Sequence, residues 1–229
     1  MPSTHARNHG GTYHSFIVTD TVDVPSSPEQ ITRAYEETWL GSTRQLAFMA
    51  DTVIQGDVLT DVFLVDASPL TLASSHSFDQ ANRIKPPAGI TQRRLTRFAE
   101  TDLRFVKKPR HWLVASPDGS TLAVLLQQKS NPPQLFTIEV VTQKLTQRTF
   151  IAGGIRTAIS WSKDGGLIAF GSETAVYALD TLTWKVREVA EVQDGTLLPL
   201  VCCISPDAKQ IAVQVRDGET NHIGIATVR

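Results

Sequence analysis

Cysteine is nearly absent: Cys202 and Cys203 are the only two in 229 residues, and they are adjacent. Neighbouring cysteines rarely bridge, because the joining peptide would be strained, so no disulfide framework exists within the chain. Two thiols on a strand fit a reducing compartment. An excess of charge of one sign is missing too. The chain has 22 Lys+Arg and 23 Asp+Glu, a formal net charge of −1. A dedicated nucleic-acid binder carries a basic surplus, so nucleic acid is not an expected partner. No apolar run approaches the ~18 residues that cross a bilayer as a helix, so no membrane span is expected. The opening MPSTHARNHGGTYHS lacks the apolar stretch of a secretory signal, and the chain as written is expected to be cytoplasmic. Also missing are a G-x-S-x-G elbow, an H-E-x-x-H pair, a Walker loop and a dinucleotide glycine fingerprint, which weakens an enzyme reading.

What is present is a repeat. SPDGSTLAV, SKDGGLIAF and SPDAKQIAV begin at Ser116, Ser162 and Ser205, 46 and 43 residues apart. Each sets a tight turn between two apolar strands, and that period is the length of a β-propeller blade. Asp and Gly supply the turn: Gly tolerates positive φ, and Asp bonds the backbone ahead of it. Ala123, Ala169 and Ala212 occupy one repeat position, flanked by Leu or Ile and by Val or Phe. They mark the strand that stacks between blades.

The pattern predicts an all-β fold, a β-propeller of about four blades with the last one incomplete. Residues 1–12 are expected to be a disordered N-terminus and 13–229 the propeller domain. Blade 1 covers 13–96 with insertions, blade 2 111–150, blade 3 155–189 and blade 4 199–229. In blade 1, Arg44–Phe48, Asp61–Asp66 and Thr91–Thr96 match later strands, Ser15–Asp20 would lead, and an insertion replaces the Ser-Pro-Asp-Gly turn. A helical insertion near residues 28–40 is predicted, with Ser27 as N-cap, Pro28 at the first helical position and Gln30 completing a capping box. Ile31, Ala34, Tyr35 and Trp39 would share its buried face and Gly41 would end it. Ser68–Gly89 reads as a surface loop. The last blade lacks an outer strand. Either Thr12–Val22 donates it or it belongs to residues outside the chain, and the ring is then partial and the chain truncated.

The recurring turn followed by Ile/Leu-Ala-Phe/Val resembles the Tol-type (TolB-like, WD40-like) propeller repeat over roughly Arg110–Arg229. ITRAYEETWLG (Ile31–Gly41), QLAF with DVFLVD, GITQRRLT (Gly89–Thr96) and PRHWLVASPDG (Pro109–Gly119) resemble the C-terminal half of an uncharacterised bacterial family, the YidR-like proteins. That resemblance implies further blades upstream and no transferable activity.

His111 opens an inner strand, where propellers line their channel; Thr157 and Leu200 hold the equivalent positions elsewhere. Tol-like propellers of the oligogalacturonate-lyase type place metal-binding histidines on such strands, so the resemblance makes His111 a ligand or divalent-metal candidate. A lone histidine is more often a hydrogen-bonded structural residue, because zinc or manganese needs three or four ligands. Lys107, Lys108 and Arg110 could contact an anion, although a solvated inter-blade loop is the commoner setting. Trp161 and Trp184 read as packing between blades, and Asp118, Asp164 and Asp207 as turn formers, because a catalytic pair must converge on one bond. The expected function is a non-catalytic binding or scaffold module, without cofactor. It would offer its channel mouth to a protein, small-molecule or carbohydrate ligand. The alternative is a metal-dependent carbohydrate-active enzyme.

Overall fold

In a computed structural model, residues 2–3, 13–14, 16–71, 73–80, 82–105 and 113–228 are described. Four antiparallel sheets follow one another along the chain and resemble propeller blades. The first contains β1 (Arg33–Trp39), β2 (Gln45–Ile54), β3 (Asp57–Asp66) and β4 (Gln92–Arg94) in that order. In the second, β5 (Leu103–Phe105) and β6 (Leu113–Ala115) both pair with β7 (Thr121–Gln128), so two pieces of chain share the inner position. β8 (Gln134–Glu139) and β9 (Leu145–Gln147) complete it. The third runs β10 (Ser160–Trp161), β11 (Leu167–Gly171), β12 (Ala175–Asp180) and β13 (Val186–Glu191). The fourth has β14 (Thr196–Ile204), β15 (Gln210–Asp217) and β16 (Thr220–Thr227).

The sheets stack face on face, as amphipathic strands with two apolar faces require. One core joins blades 1 and 2 through Met49, Val62, Leu122 and Ile138. A second joins blades 2 and 3 through Leu125, Leu135, Ile168 and Phe170, and a third joins blades 3 and 4 through Val176, Ile211 and Val213. Ala123 and Ala169 are fully buried, whereas Ala212 on β15 is only half-buried. At ~25 cal/mol per Å² of apolar surface removed from water, each such interface is a principal source of stability.

The Ser-x-Asp turns share one hydrogen-bond pattern. In blade 2 the Ser116 amide donates to the Thr121 carbonyl (2.8 Å), the Ser116 hydroxyl to Asp118 Oδ1 (2.6 Å) and the Ser120 amide to the same oxygen (3.0 Å). Ser162 with Asp164 and Ser205 with Asp207 repeat it. Blade 1 corrects the expected insertion, because Leu40-Gly41-Ser42-Thr43 forms a turn of the same length. The Leu40 amide donates to the Gln45 carbonyl (3.0 Å), and the Thr43 hydroxyl takes the part of the serine hydroxyl, accepting from the Gln45 amide (3.1 Å) as Ser116 Oγ accepts from the Thr121 amide (3.0 Å), while donating to the Leu40 carbonyl (2.6 Å).

The predicted helix near residues 28–40 is not there; among the described residues no α-helix occurs, only a short 3-10 turn at Phe98–Glu100. Its cap signature closes a turn instead: the Gln30 amide donates to the Ser27 carbonyl (3.1 Å), and Gln30 Oε1 accepts from Ser26 N (2.6 Å) and Oγ (2.9 Å). The following TRAYEETW is rich in β-branched and aromatic residues and pairs with β2, so tertiary pairing overrides a marginal helical period. A bulge between Tyr35 and Thr38, with Glu36 at φ 52°, adjusts its register.

β1 therefore leads blade 1 in place of the expected Ser15–Asp20. Residues 16–31 instead cover the free face of that blade: Val18 and Ile31 pack on Phe48, Ala50, Phe63 and Val65. The 68–89 segment, expected to be a plain surface loop, holds this cover down. Lys85 pairs with Asp20, Arg83 with Asp23, and the Ile17 amide donates to His76 Nε2 (2.8 Å). The described part of Thr12–Val22 is thus engaged elsewhere, and among the described residues no strand pairs with the outer edge of β16.

Candidate functional site

Antiparallel order places the first-to-second turn of each blade, and the third-to-fourth turn of the four-stranded ones, at one end and the second-to-third turn at the other. At the first end, blades 2 and 3 enclose a groove of about 540 Å³. The Ser116–Thr121 and Ser162–Gly165 turns, Trp161, and the Thr181–Trp184 turn wall it.

Trp184 occupies an unusual backbone position. In blade 2 the turn from β8 to β9 places Gln143 at φ 60°; in blade 3 the matching turn places Trp184 at φ 56°. In both, the residue's amide donates to the carbonyl four positions earlier, Gln143 to Glu139 and Trp184 to Asp180, each at 2.8 Å. A bulky residue there costs about 1 kcal/mol or more, so surrounding contacts must hold it. They do: Trp184 packs on the core between blades 2 and 3, and the Arg148 guanidinium carbon lies 3.5 Å above its ring. Arg148 is anchored by its Nε donating to Thr137 Oγ1 (2.8 Å). Burial lowers its pKa, with the Glu139 carboxylate working in the opposite direction. The stack is a cation–π contact that clasps blade 2 to blade 3.

The polar atoms of the groove divide unevenly. Four of its side-chain donors are committed: Ser116 Oγ and Ser120 Oγ to Asp118, Thr181 Oγ1 to the Gly165 carbonyl (2.7 Å), and Trp161 Nε1 to the Val114 carbonyl (3.2 Å). Among the described residues the Trp184 indole N–H meets no acceptor, and the Thr121 hydroxyl has only Ser120 Oγ at 3.4 Å. Its carboxylates keep acceptor capacity. Asp164 Oδ1 accepts from Ser162 Oγ and Gly166 N, and no protein donor to its Oδ2 occurs among the described residues. Both carboxyls titrate below the ordinary aspartate range, chiefly because of the serine hydroxyl bonded to each, Ser116 for Asp118 and Ser162 for Asp164. They are ionised at neutral pH.

At the opposite end a cleft of about 470 Å³ is lined by Pro132, Pro133, Ile155, Arg156, Leu197 and Pro199. Arg156, the one charge lining it among the described residues, lies 3.6 Å from exposed Glu173.

His111, Lys107, Lys108 and Arg110 lie outside the described residues, so the structure places none of these four. Among the described residues no group of three His, Cys, Asp or Glu side chains is arranged to hold a metal. The groove was missed because Trp161 and Trp184 read correctly as packing residues, and packing hides the fact that both also border solvent. The available signal was Trp184 in the slot where blade 2 carries Gln143.

Stacked antiparallel sheets, each of the last three with a Ser-x-Asp turn between its first two strands, resemble the blades of a TolB-like β-propeller. Solved structures agree: TolB from Acinetobacter baumannii superposes with a TM-score of 0.56 at 17% identity, over 84% of this chain and 40% of that one. A TolB-like protein from Agrobacterium tumefaciens gives 0.51 at 14% identity, over 80% and 57%. In sequence the chain is similar to the uncharacterized protein YidR of Escherichia coli (strain K12), 26% identical over 221 residues, which is 91% of this chain and 52% of that protein. The chain thus spans about half the length of the curated relative it matches. No protein-family model matches it.

Proposed function

We propose that the chain is a non-catalytic binding module whose ligand site is the groove between blades 2 and 3. One observation carries this reading: the groove's two carboxylates are tied into backbone turns, each accepting from a serine hydroxyl and a backbone amide. A general acid or base must be free to exchange a proton near neutral pH, and hydrogen bonds that hold a carboxylate ionised oppose that. What the groove offers instead is aromatic surface and fixed charge, the materials of recognition.

The test is hydrogen exchange on the full chain with a hexapeptide library and with neutral and acidic oligosaccharides, each probe recovered for mass spectrometry. Protection at 116–121 and 161–166, with the probe recovered intact, is the expected result. Conversion of any probe, for instance cleavage of acidic oligosaccharides with added manganese, would replace the binding reading with an enzymatic one.

A further inference from the structure

We propose that this groove recognises an alkylammonium or guanidinium group, the head of a lysine or arginine side chain. The inference rests on the binding reading above and adds the chemistry of the ligand. It follows from the accounting of donors and acceptors. The hydroxyls of Ser116, Ser120 and Thr181 and the indole N–H of Trp161 all donate within the protein. A phosphate or carboxylate only accepts, and would meet two ionised carboxylates and few free donors; a sugar hydroxyl can donate to those carboxylates but brings no charge to match theirs. Ammonium and guanidinium groups donate and accept nothing. They match the spare acceptors of the wall, Asp164 Oδ2 and the Asp118 carboxylate, which stand beside the indole surface of Trp184.

Charge points the same way. Among the described residues the groove's lining carries two carboxylates and no lysine or arginine; Lys163 and Lys185, neighbours in the same turns, are not part of it. The protein also supplies its own precedent. Arg148 lies over the Trp184 ring, beside a second hollow that it lines with Glu139 and Thr142 and that Trp184 also borders. Arg148 does not line the groove holding Asp118 and Asp164. Trp184 thus borders two hollows, one of which holds a guanidinium, and the other is walled by acceptors for a second cation. A strained φ at a bulky residue is retained where surrounding contacts or a role offset it.

The experiment is calorimetric and fluorescence titration of the full chain with N-acetyl-lysine methylamide, N-acetyl-arginine methylamide, an acetylated hexapeptide with one central lysine, and the same peptide with norleucine. The lysine peptide binds and the norleucine peptide binds at least tenfold more weakly; raising the salt weakens the former. Saturation by the free amides at similar affinity identifies a small amine as sufficient, and binding of the peptide alone identifies an extended chain. Asp164→Asn keeps Oδ1 for the turn and removes the charge, and lowers affinity about tenfold. Trp184→Gln copies the residue that blade 2 tolerates in the same slot, so it folds and loses binding. Equal binding of lysine and norleucine peptides, or an acidic or neutral probe that binds independently of Asp164, overturns the cation assignment while leaving the groove as the site. No change in tryptophan fluorescence or heat with any probe overturns the groove itself.

Discussion

Gly41 and Gly119 face each other across the junction of blades 1 and 2, each occupying the space a side chain on the other would need. A Cβ on Gly41 would lie 2.7 Å from the Pro117 carbonyl oxygen, and one on Gly119 would lie 2.6 Å from the Leu40 carbonyl oxygen. Both also have positive φ, 57° and 74°. Two blade turns therefore meet backbone to backbone. Gly119→Ala should cost about 3 kcal/mol or more, combining about 1–2 kcal/mol for the left-handed backbone with displacement of the opposing turn. Gly218, at φ 56° with nothing within 4 Å of a built Cβ, isolates the first effect, and Gly218→Ala should cost about 1 kcal/mol. Urea denaturation of the two variants checks this; equal costs would mean the turns do not touch.

The least forgiving polar contact is Asp61 with Arg94, on neighbouring strands of blade 1 and both buried. Arg94 Nε donates to Asp61 Oδ2 (3.0 Å), and Thr96 Oγ1 (2.7 Å) and the Phe98 amide (2.8 Å) donate to Oδ1. The carboxylate thus pins the chain that leaves the sheet for blade 2. Arg94→Met strands a buried negative charge and should cost about 3–5 kcal/mol. Asp61→Leu with Arg94→Met should recover only part of that, because the Thr96 hydroxyl and Phe98 amide lose their acceptor. A double-mutant cycle read by chemical denaturation measures the coupling; additive losses would refute it.

The blade grammar was legible in the sequence because Ser, Asp and Gly do the same bonding in every turn they share. Leu40–Thr43 escaped that reading because Thr43 reaches the same end with different atoms. The helix forecast over 28–40 failed for a related reason. Ser-Pro-x-Gln closes a turn as readily as it caps a helix, and the strand partner that decides the matter, Gln45–Ile54, lies further along the chain. Of the candidate groove, the turn aspartates were legible and the Arg148–Trp184 clasp was not. It joins two blades that only the folded packing brings together.

Acid should weaken the turns with a definite sign. The carboxyls of Asp118, Asp164 and Asp207 are all held below the ordinary aspartate value, first by the adjacent serine hydroxyl. Between the folded value and the unfolded value of about 3.9, the unfolded chain binds more protons, so stability from these groups is present above pH ~4 and is lost as pH falls through the folded values. Asp118→Asn keeps an oxygen for Ser116 and Ser120 but cannot titrate. Its stability at pH 7 should drop by about 1 kcal/mol, and its decline between pH 4 and 2 should be shallower than in the parent. Urea midpoints across that range test this, and parallel acid limbs would contradict it.

The adjacent cysteines provide a chemical test of the blade 3–blade 4 interface. Successive side chains on a strand point to opposite faces. Cys202 is buried in the shared core and Cys203 is exposed. Burial raises the Cys202 thiol to about 12, with a hydrogen bond involving Thr157 opposing the shift. The thiolate is the reactive form, so Cys202 should be inert at pH 8 on two grounds, access and protonation. Because its folded pKa is raised, the stability it contributes is complete below the unfolded value of about 8.5 and declines only as pH climbs toward 12. Iodoacetamide on the native chain at pH 8 should therefore add one label, on Cys203, and a second only after denaturant opens the core. Mass spectrometry of the labelled peptides distinguishes the sites. Two labels at similar rates without denaturant would mean that the last blade separates from its neighbour in solution.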